Sequence, residues 1–311
     1  MSNKVKPLIV TTEEAGQRLD KWIKFHFTNI SKIMVEKLCR TGQIRVDSAR
    51  VKPNIKLFEN QLIRIPNFIR YNNKKIDKVF TNRDTDLFNK LKEAIVYEDD
   101  YFLIFNKPFG LAVQGGSKLG NVHLDGILPL FSKNKLSPPK LVHRLDKETS
   151  GVMVVAKSDR AYHSLVDQFS KRQTEKEYLA LVCGLPKEDS GNIDLPIGRH
   201  PKVRVRMAVV KNGKEAITKW KMISKYRDEY GLLSISILTG RTHQIRVHFS
   251  YLGYPLAGDK TYGSKKKSPF PRVMLHAHTL KFKHPVSSDE IFFKSELPED
   301  FKSELKKLEL N

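Results

Sequence analysis

The spacing of hydrophobic and polar positions changes character twice along this chain. Over residues 12–66, Leu19, Trp22, Ile23 and Phe27 recur at helical intervals and predict an amphipathic helix over 17–27. Ser31 suits the N-cap of a second helix that turns Met34, Val35 and Leu38 inward and stops at Gly42. Ile44-Arg45-Val46, a turn at Asp47-Ser48-Ala49, Val51 and Leu62 to Ile65 then read as short strands. Residues 67–92 are polar, include Asn72-Asn73-Lys74-Lys75, and predict a linker with or without a short helix. From 93 to 300 helix and strand patterns mix, with strands dominant: 101–105, 152–156, 177–183 and 232–238. Asp159 is expected to cap a helix reaching about residue 172, with Ala161, Leu165, Val166 and Phe169 on one side. Thr242 is expected to open another, with Ile245, Phe249 and Leu252 inward and Gly253 and Pro255 as its stop. The segment Lys302 to Leu308 predicts a surface helix, and no repeat of 20–50 residues appears.

Length and charge narrow the function classes. The 311 residues suit a catalytic body with a smaller appendage. The formal net charge is +22 and the pI ≈ 9.8, an excess that implies a polyanionic partner. Nucleic acid is the first choice; a membrane surface is the second, but no basic amphipathic helix or lipidation signal supports it. Residues 1–90 hold 19 lysines and arginines against 9 acids, so positive charge is densest there. Cys39 and Cys183 sit far apart inside apolar patterns and read as buried, reduced thiols. No signal-peptide core or membrane-length apolar run is present, and the expectation is a cytoplasmic protein without a membrane role.

Two dense clusters carry candidate chemistry. His143-Arg144-Leu145-Asp146 leads through a small-residue turn into the apolar run Val152 to Ala156. Asp146 is either a catalytic carboxylate on a loop fixed by a buried strand or one half of a structural ion pair. Thr239 to His248 begins where a strand passes into a helix, so backbone N–H groups and guanidinium groups converge on a spot suited to an anion. Arg246 lies between inward-facing Ile245 and Phe249. If buried it needs a carboxylate, and Asp146 is the candidate; otherwise Arg241 and Arg246 are solvated helix charges. Tyr178 shares a strand face with Ala180 and Val182, a position open to core packing or to chemistry. His243, His248, His276 and His278 lack metal-site spacing, and neither a P-loop nor a Rossmann fingerprint occurs. The expectation is no metal and no nucleotide cofactor.

The ordered set Asn106-Lys107-Pro108-x-Gly110-Leu111, His143-Arg144-Leu145-Asp146-x-x-Thr149-Ser150-Gly151, Tyr178-Leu179-Ala180, Gly240 to His248 and Gly258-Asp259-x-x-Tyr262-Gly263 resembles the RluA-type pseudouridine synthases. It covers roughly residues 93 to 285. The N-terminal unit, with Gly16-Gln17-Arg18-Leu19-Asp20-Lys21, resembles the S4 RNA-binding domain. The stretch Val113-Gln114-Gly115-Gly116-Ser117 and the overall arrangement are most similar to the C subtype, which acts on large-subunit ribosomal RNA. Gln114 departs from the His of many relatives, and Glu59-Asn60 from the usual Gly-Asp; both bear on subtype more than on activity.

The resemblance implies an α+β fold. A mixed, mainly antiparallel sheet forms the catalytic domain over 93–300, 67–92 is a linker, and 12–66 is a small αα-plus-β-hairpin S4 domain. It implies isomerisation of uridine to pseudouridine in 23S ribosomal RNA or a large-subunit precursor, by a monomer needing no cofactor. Asp146 would be the essential carboxylate, as nucleophile or as base toward the ribose, held ionised by Arg246. Tyr178 would stack on the flipped base and assist proton removal from C5. Arg144 would enter the space the nucleotide leaves, and Leu275 would pack beneath the base, with Lys107 and Arg241 also holding substrate. Arg18, Lys21, Lys32, Lys37, Arg40 and Arg45 would grip RNA from the small domain. The alternatives are the same chemistry on tRNA or another ribosomal site, and an inactive RNA-binding protein of ribosome assembly. Intact Asp146, Tyr178 and Arg246 argue against the inactive form. A nuclease is disfavoured because carboxylates that would hold two metals are missing.

Overall fold

The computed structural model describes residues 7–27, 30–69, 81–115, 122–132, 138–203, 205–263 and 269–310. The chain divides into two units at residue 80. The Asn72–Lys75 stretch and Gly116-Ser117 lie outside the described residues.

In the first unit, helices Leu19–His26 and Lys32–Arg40 share one core with a four-stranded sheet ordered Leu8–Ile9, Leu62–Arg64, Arg45–Val46, Ala49–Arg50. Ser31 caps the second helix as expected, its Oγ accepting from the Met34 N–H at 3.2 Å. Val35, Leu38 and Cys39 make the buried stripe, whereas Met34, expected inward, is 40% exposed because it lies a hundred degrees round from Val35. The hairpin turns on Asp47 and Ser48, both at positive φ (47° and 66°), and the Asp47 carboxylate accepts from the Leu62 N–H at 2.8 Å. Such a two-residue turn matches the twist of the strands it joins. The strand Leu8–Ile9, before the expected boundary, completes the sheet.

The second unit is built on a ten-stranded sheet. Its main path runs Ser190–Asp194, Ile217–Tyr226, Tyr230–Ile237, Glu175–Cys183, Leu275–Lys283, Ser150–Ala156, Phe102–Lys107, Ile95–Glu98. Every neighbouring pair is antiparallel except Leu275–Lys283 with Ser150–Ala156, which is parallel. Ser150–Ala156 is buried at every position, which explains its unbroken apolar run. Where the parallel pair meets, Gly151 holds φ +115°, and a Cβ there would lie 2.1 Å from the Ala277 carbonyl oxygen. Only glycine fits, so the chain leaving the Asp146 loop is seated directly on the strand of Leu275.

Residues 82–92, placed in the linker, belong to the helix Asn82–Glu93; Thr81 and Asp84 form its capping box, and Leu87, Phe88 and Leu91 pack on the second unit's core. The helix Asp159–Ser170 is capped by Ser158, not Asp159, with Ser158 Oγ accepting from the Ala161 N–H at 3.2 Å. The helix Gln244–Tyr251 starts two residues later than expected, and Leu252, expected inward, lies past its end and is 41% exposed. The C-terminal helix Glu299–Leu310 is not a purely surface element. Phe301 is fully buried against Ala257, Phe270 and Met274, so the unit extends beyond residue 300.

Candidate active site

An open cleft lies beside the loop that carries Asp146, walled by Arg144, Thr149, Tyr178, Leu275 and the 240–246 segment. The Asp146 loop is braced from three sides. The Thr149 N–H donates to the Asp146 carbonyl at 3.1 Å. Val154 donates its N–H to His143 Nε2 at 3.0 Å, and the His143 ring stacks on Phe169 at 4.5 Å. Burial, with the nearby Lys176 cation, pushes His143 down to about 3, so the ring is neutral and Nε2 is free to accept. Beneath the loop, the fully buried Lys107 donates from Nζ to the carbonyls of Pro108 (2.9 Å), Leu111 (3.0 Å) and Lys147 (3.4 Å). Burial lowers Lys107 to about 7, against the pull of Asp146. Lys107 was expected to touch substrate; with no exposed surface it instead ties the Asn106-Lys107-Pro108 turn to the loop of the acid.

Among the described residues the Asp146 carboxylate makes no hydrogen bond or ion pair, yet it is half-exposed in the cleft. Its charge is felt by Lys107, Tyr178, His243, Arg246 and Tyr262 alike. Segments far apart in sequence therefore converge on one carboxylate that no described residue pairs. Among the described residues Asp146 and Arg144 form no ion pair: Arg144 is exposed and its Nη1 donates to Gln114 Oε1 at 3.2 Å. Gln114, the departure from the His of many relatives, thus holds Arg144 at the cleft.

Arg246 is buried, as its apolar flanks required, but its partner is not Asp146. The guanidinium forks onto Asp259, with Nε to Oδ2 at 2.7 Å and Nη2 to Oδ1 at 2.8 Å, and Nη2 lies 3.2 Å from Glu148. No ion pair joins Arg246 to Asp146 among the described residues. The reason is geometric: Asp259 also accepts the N–H groups of Thr261 and Tyr262 at 2.9 and 3.0 Å, which aims its carboxylate at the fork. Burial pushes Asp259 upward, but the Arg246 bonds and charge and these two N–H groups outweigh it, leaving the carboxyl below the ordinary range. Sequence reasoning left Asp259 without a role, and Glu148 unmentioned. A buried arginine demanded an acid, but spacing could not choose among three.

The remaining residues divide between cleft and scaffold. Tyr178 (8% exposed) and Leu275 (3%) line the cleft from adjacent strands. Burial first, then the Asp146 charge, push the Tyr178 phenol far up, so it stays protonated at neutral pH. Arg241 lines the cleft and is anchored by Nε to the Glu215 carbonyl at 2.8 Å. Gln244 has all its side-chain valences engaged: it accepts from Thr239 Oγ1 and the Arg241 N–H and donates to Ile217 O and Thr218 Oγ1. His248 bridges Thr218 and the Leu195 carbonyl, while His276 and His278 reach the Ser295 carbonyl. In the first unit, Lys21, Lys37 and Arg40 are exposed without an ion pair among the described residues, and Lys32 sits 3.8 Å from Glu36. Arg18 is forked onto Asp20 at 2.8 and 3.0 Å. Arg45 is engaged within its own hairpin, donating to the carbonyls of Gly42 and Ser48 at 3.1 and 3.2 Å.

Residues 101–251 match the RNA pseudouridylate synthase family. An RNA pseudouridine synthase of Aquifex aeolicus is 39% identical, covering 94% of this chain and 93% of its own. Ribosomal large subunit pseudouridine synthase C of Escherichia coli K12 is 35% identical over 98% and 97% of the two chains; that of Haemophilus ducreyi is 34% identical over 99% and 97%. Among solved structures, human RNA pseudouridylate synthase domain containing 4 superposes with a TM-score of 0.61 at 28% identity, covering 73% of this chain and 97% of that one. With near-complete coverage at this identity, and the sheet and cleft described above, the chain belongs to the RluA-type family of RNA pseudouridine synthases, isomerases of uridine in RNA.

Proposed function

We propose that this protein converts uridines of 23S ribosomal RNA, or of a large-subunit precursor, into pseudouridine, with Asp146 as the reacting carboxylate acting on a uridine flipped into the cleft. The observation that carries the reading is the Asp146 carboxylate, without a partner among the described residues and held by a braced loop among Tyr178, Leu275 and Arg144. Full-length similarity to enzymes called ribosomal large subunit pseudouridine synthase C supports the choice of RNA.

The reaction is an isomerisation and balances without a cofactor. The C1′–N1 bond breaks, the uracil turns, C5 bonds to C1′, the C5 proton leaves and N1 gains one. Asp146 acts at the ribose, as nucleophile on the sugar or as base toward one of its protons. Tyr178 and Leu275 pack against the base. Tyr178, with its phenol held protonated, does not remove the C5 proton unaided at neutral pH. Arg144, exposed and held by Gln114, fills the gap left in the RNA. Extruding a uridine costs a few kcal/mol, less from a strained loop, so RNA shape contributes to selection. The small N-terminal unit acts as an S4-type RNA-binding domain through Lys21, Lys32, Lys37 and Arg40, with Arg18 and Arg45 in supporting positions. The enzyme works as a monomer in the cytoplasm.

Carbodiimide mapping of 23S RNA from wild-type and deletion strains tests this directly. Pseudouridines should vanish on deletion, return with the wild-type gene and stay absent with Asp146→Asn. Unchanged 23S modification on deletion, with loss in tRNA, would move the substrate and leave the chemistry.

A further inference from the structure

His243 occupies the position before helix Gln244–Tyr251 with φ 58° and ψ 22°, the left-handed region that a residue with a Cβ avoids. Among the described residues its ring makes one polar contact: Nδ1 lies 2.7 Å from the Tyr262 hydroxyl, with the two rings edge to face. The same hydroxyl oxygen accepts the Met207 N–H at 3.0 Å. A phenol carries one proton, and among the described residues His243 Nδ1 is the acceptor in reach of it. The Tyr262 hydroxyl therefore donates to Nδ1, which places the proton of the neutral imidazole on Nε2. Burial keeps His243 below its ordinary range, as does Arg246, against the opposing charges of Asp146, Asp259 and Glu148, so the neutral form is the working one. His243 lines the Asp146 cleft, and among the described residues its Nε2 has no hydrogen-bond partner.

We propose that His243 is a substrate-binding residue whose Nε2–H donates to a carbonyl oxygen of the uracil in the Asp146 cleft, and that Tyr262 is a positioning residue that sets its tautomer. The inference rests on the function proposed above. As the C1′–N1 bond lengthens, its electron pair moves onto the base and the uracil carbonyl oxygens gain charge. A fixed N–H aimed at such an oxygen holds it more tightly in the transition state than in the ground state. A neutral donor suits this place: an imidazolium would be drawn to Asp146 and would mask the acid. The Tyr262 ring also lies under Arg246, 5.1 Å from the guanidinium carbon, so the support of the donor is continuous with the Arg246–Asp259 pillar.

The test measures pseudouridine formation on 23S ribosomal RNA transcripts, with RNA affinity by filter binding and the thermal midpoint measured alongside. His243→Ala should lower turnover at saturating RNA by about 100-fold, the usual effect of removing one such donor, while RNA affinity stays within about twofold. His243→Gln, which keeps an N–H donor, should recover part of that loss. Tyr262→Phe should lower turnover in the wild-type background and change nothing further in the His243→Ala background, because it acts through the histidine. If His243→Ala fails to fold, His243→Gln and Tyr262→Phe carry the test. Turnover of His243→Ala within about threefold of wild type, additive losses in the double variant, or a loss confined to RNA affinity overturns the proposal alone. A wild-type protein inactive on every RNA overturns the function reading, and this proposal with it.

Discussion

Among the described residues, Asp146 differs from the other acids at the site in having no hydrogen bond or ion pair. Asp259 spends its oxygens on Arg246 and two backbone N–H groups, and Glu148 leans on the same arginine. Asp146→Asn should therefore abolish turnover while leaving RNA affinity and the thermal midpoint close to wild type; activity within about tenfold of wild type would remove the acid from the mechanism. His143 gives a second expectation, in pH. Its folded value near 3 lies below the ordinary 6.5, so between these values the unfolded chain binds a proton that the native protein does not. Stability is then fully present above pH 6.5 and declines as pH falls toward 3. Roughly 2 kcal/mol should go between pH 6.5 and 5 through this group. His143→Gln keeps an acceptor but cannot titrate, so its urea midpoint should fall less steeply over that window; parallel curves would mean His143 is protonated in the fold. The motif around Asp146 was legible in sequence because its residues are contiguous. The neutrality of His143 and the burial of Lys107 were not, since both depend on Phe169, Val154 and the 108–111 turn folding over them.

At the scale of elements, strands announced themselves where both faces are covered and failed to where they are short. Ser150–Ala156 and Glu175–Cys183 stood out as apolar runs, whereas two-residue strands such as Leu8–Ile9 carry no periodicity to read. Pairing was hidden for a different reason. Ser150 and His276 are 126 residues apart yet hydrogen-bonded at 3.0 Å across the parallel pair of strands, and nothing local encodes such a partner. The choice of acid for Arg246 is the same problem in side chains. A helix, Gln244–Tyr251, supplies the guanidinium and the following Gly258-Asp259 turn supplies its counter-charge, so the two elements are locked by one fork. Asp259→Ala would leave a buried guanidinium with only the half-exposed Glu148 and would strand two N–H groups. The cost should be about 3–5 kcal/mol in urea unfolding. A loss under about 1 kcal/mol would show that Glu148 swings in to replace it. Arg272 does the equivalent at the other end, forking onto Asp300 at 2.6 and 2.9 Å while its Nη1 reaches Ser150 Oγ at 3.3 Å. The C-terminal helix is thereby tied to the strand that follows the acid loop.

At the scale of the whole molecule, the charge of +22 has to be set against a proposed chemistry that uses one carboxylate and a handful of contacts. Most of that charge is therefore available to bind the polyanion rather than to transform it. Residues 1–90 carry 19 of the 56 lysines and arginines but only 9 of the 34 acids, and Lys21, Lys37 and Arg40 stand exposed without ion pairs among the described residues. Each phosphate neutralised by such a side chain releases counterions and adds about 0.7 to 0.9 to the slope of log affinity against log salt. The first unit has its own core around Trp22, Ile23 and Ile63, and the second has another. Removal of residues 1–66 should weaken binding to 23S RNA and flatten its salt dependence by two or more such increments, yet leave slow turnover on a short stem-loop at high enzyme concentration. Filter binding across a salt series decides the matter. An unchanged affinity and slope after truncation would make the basic face of the small unit a solubilising surface and place the RNA grip entirely on the catalytic body.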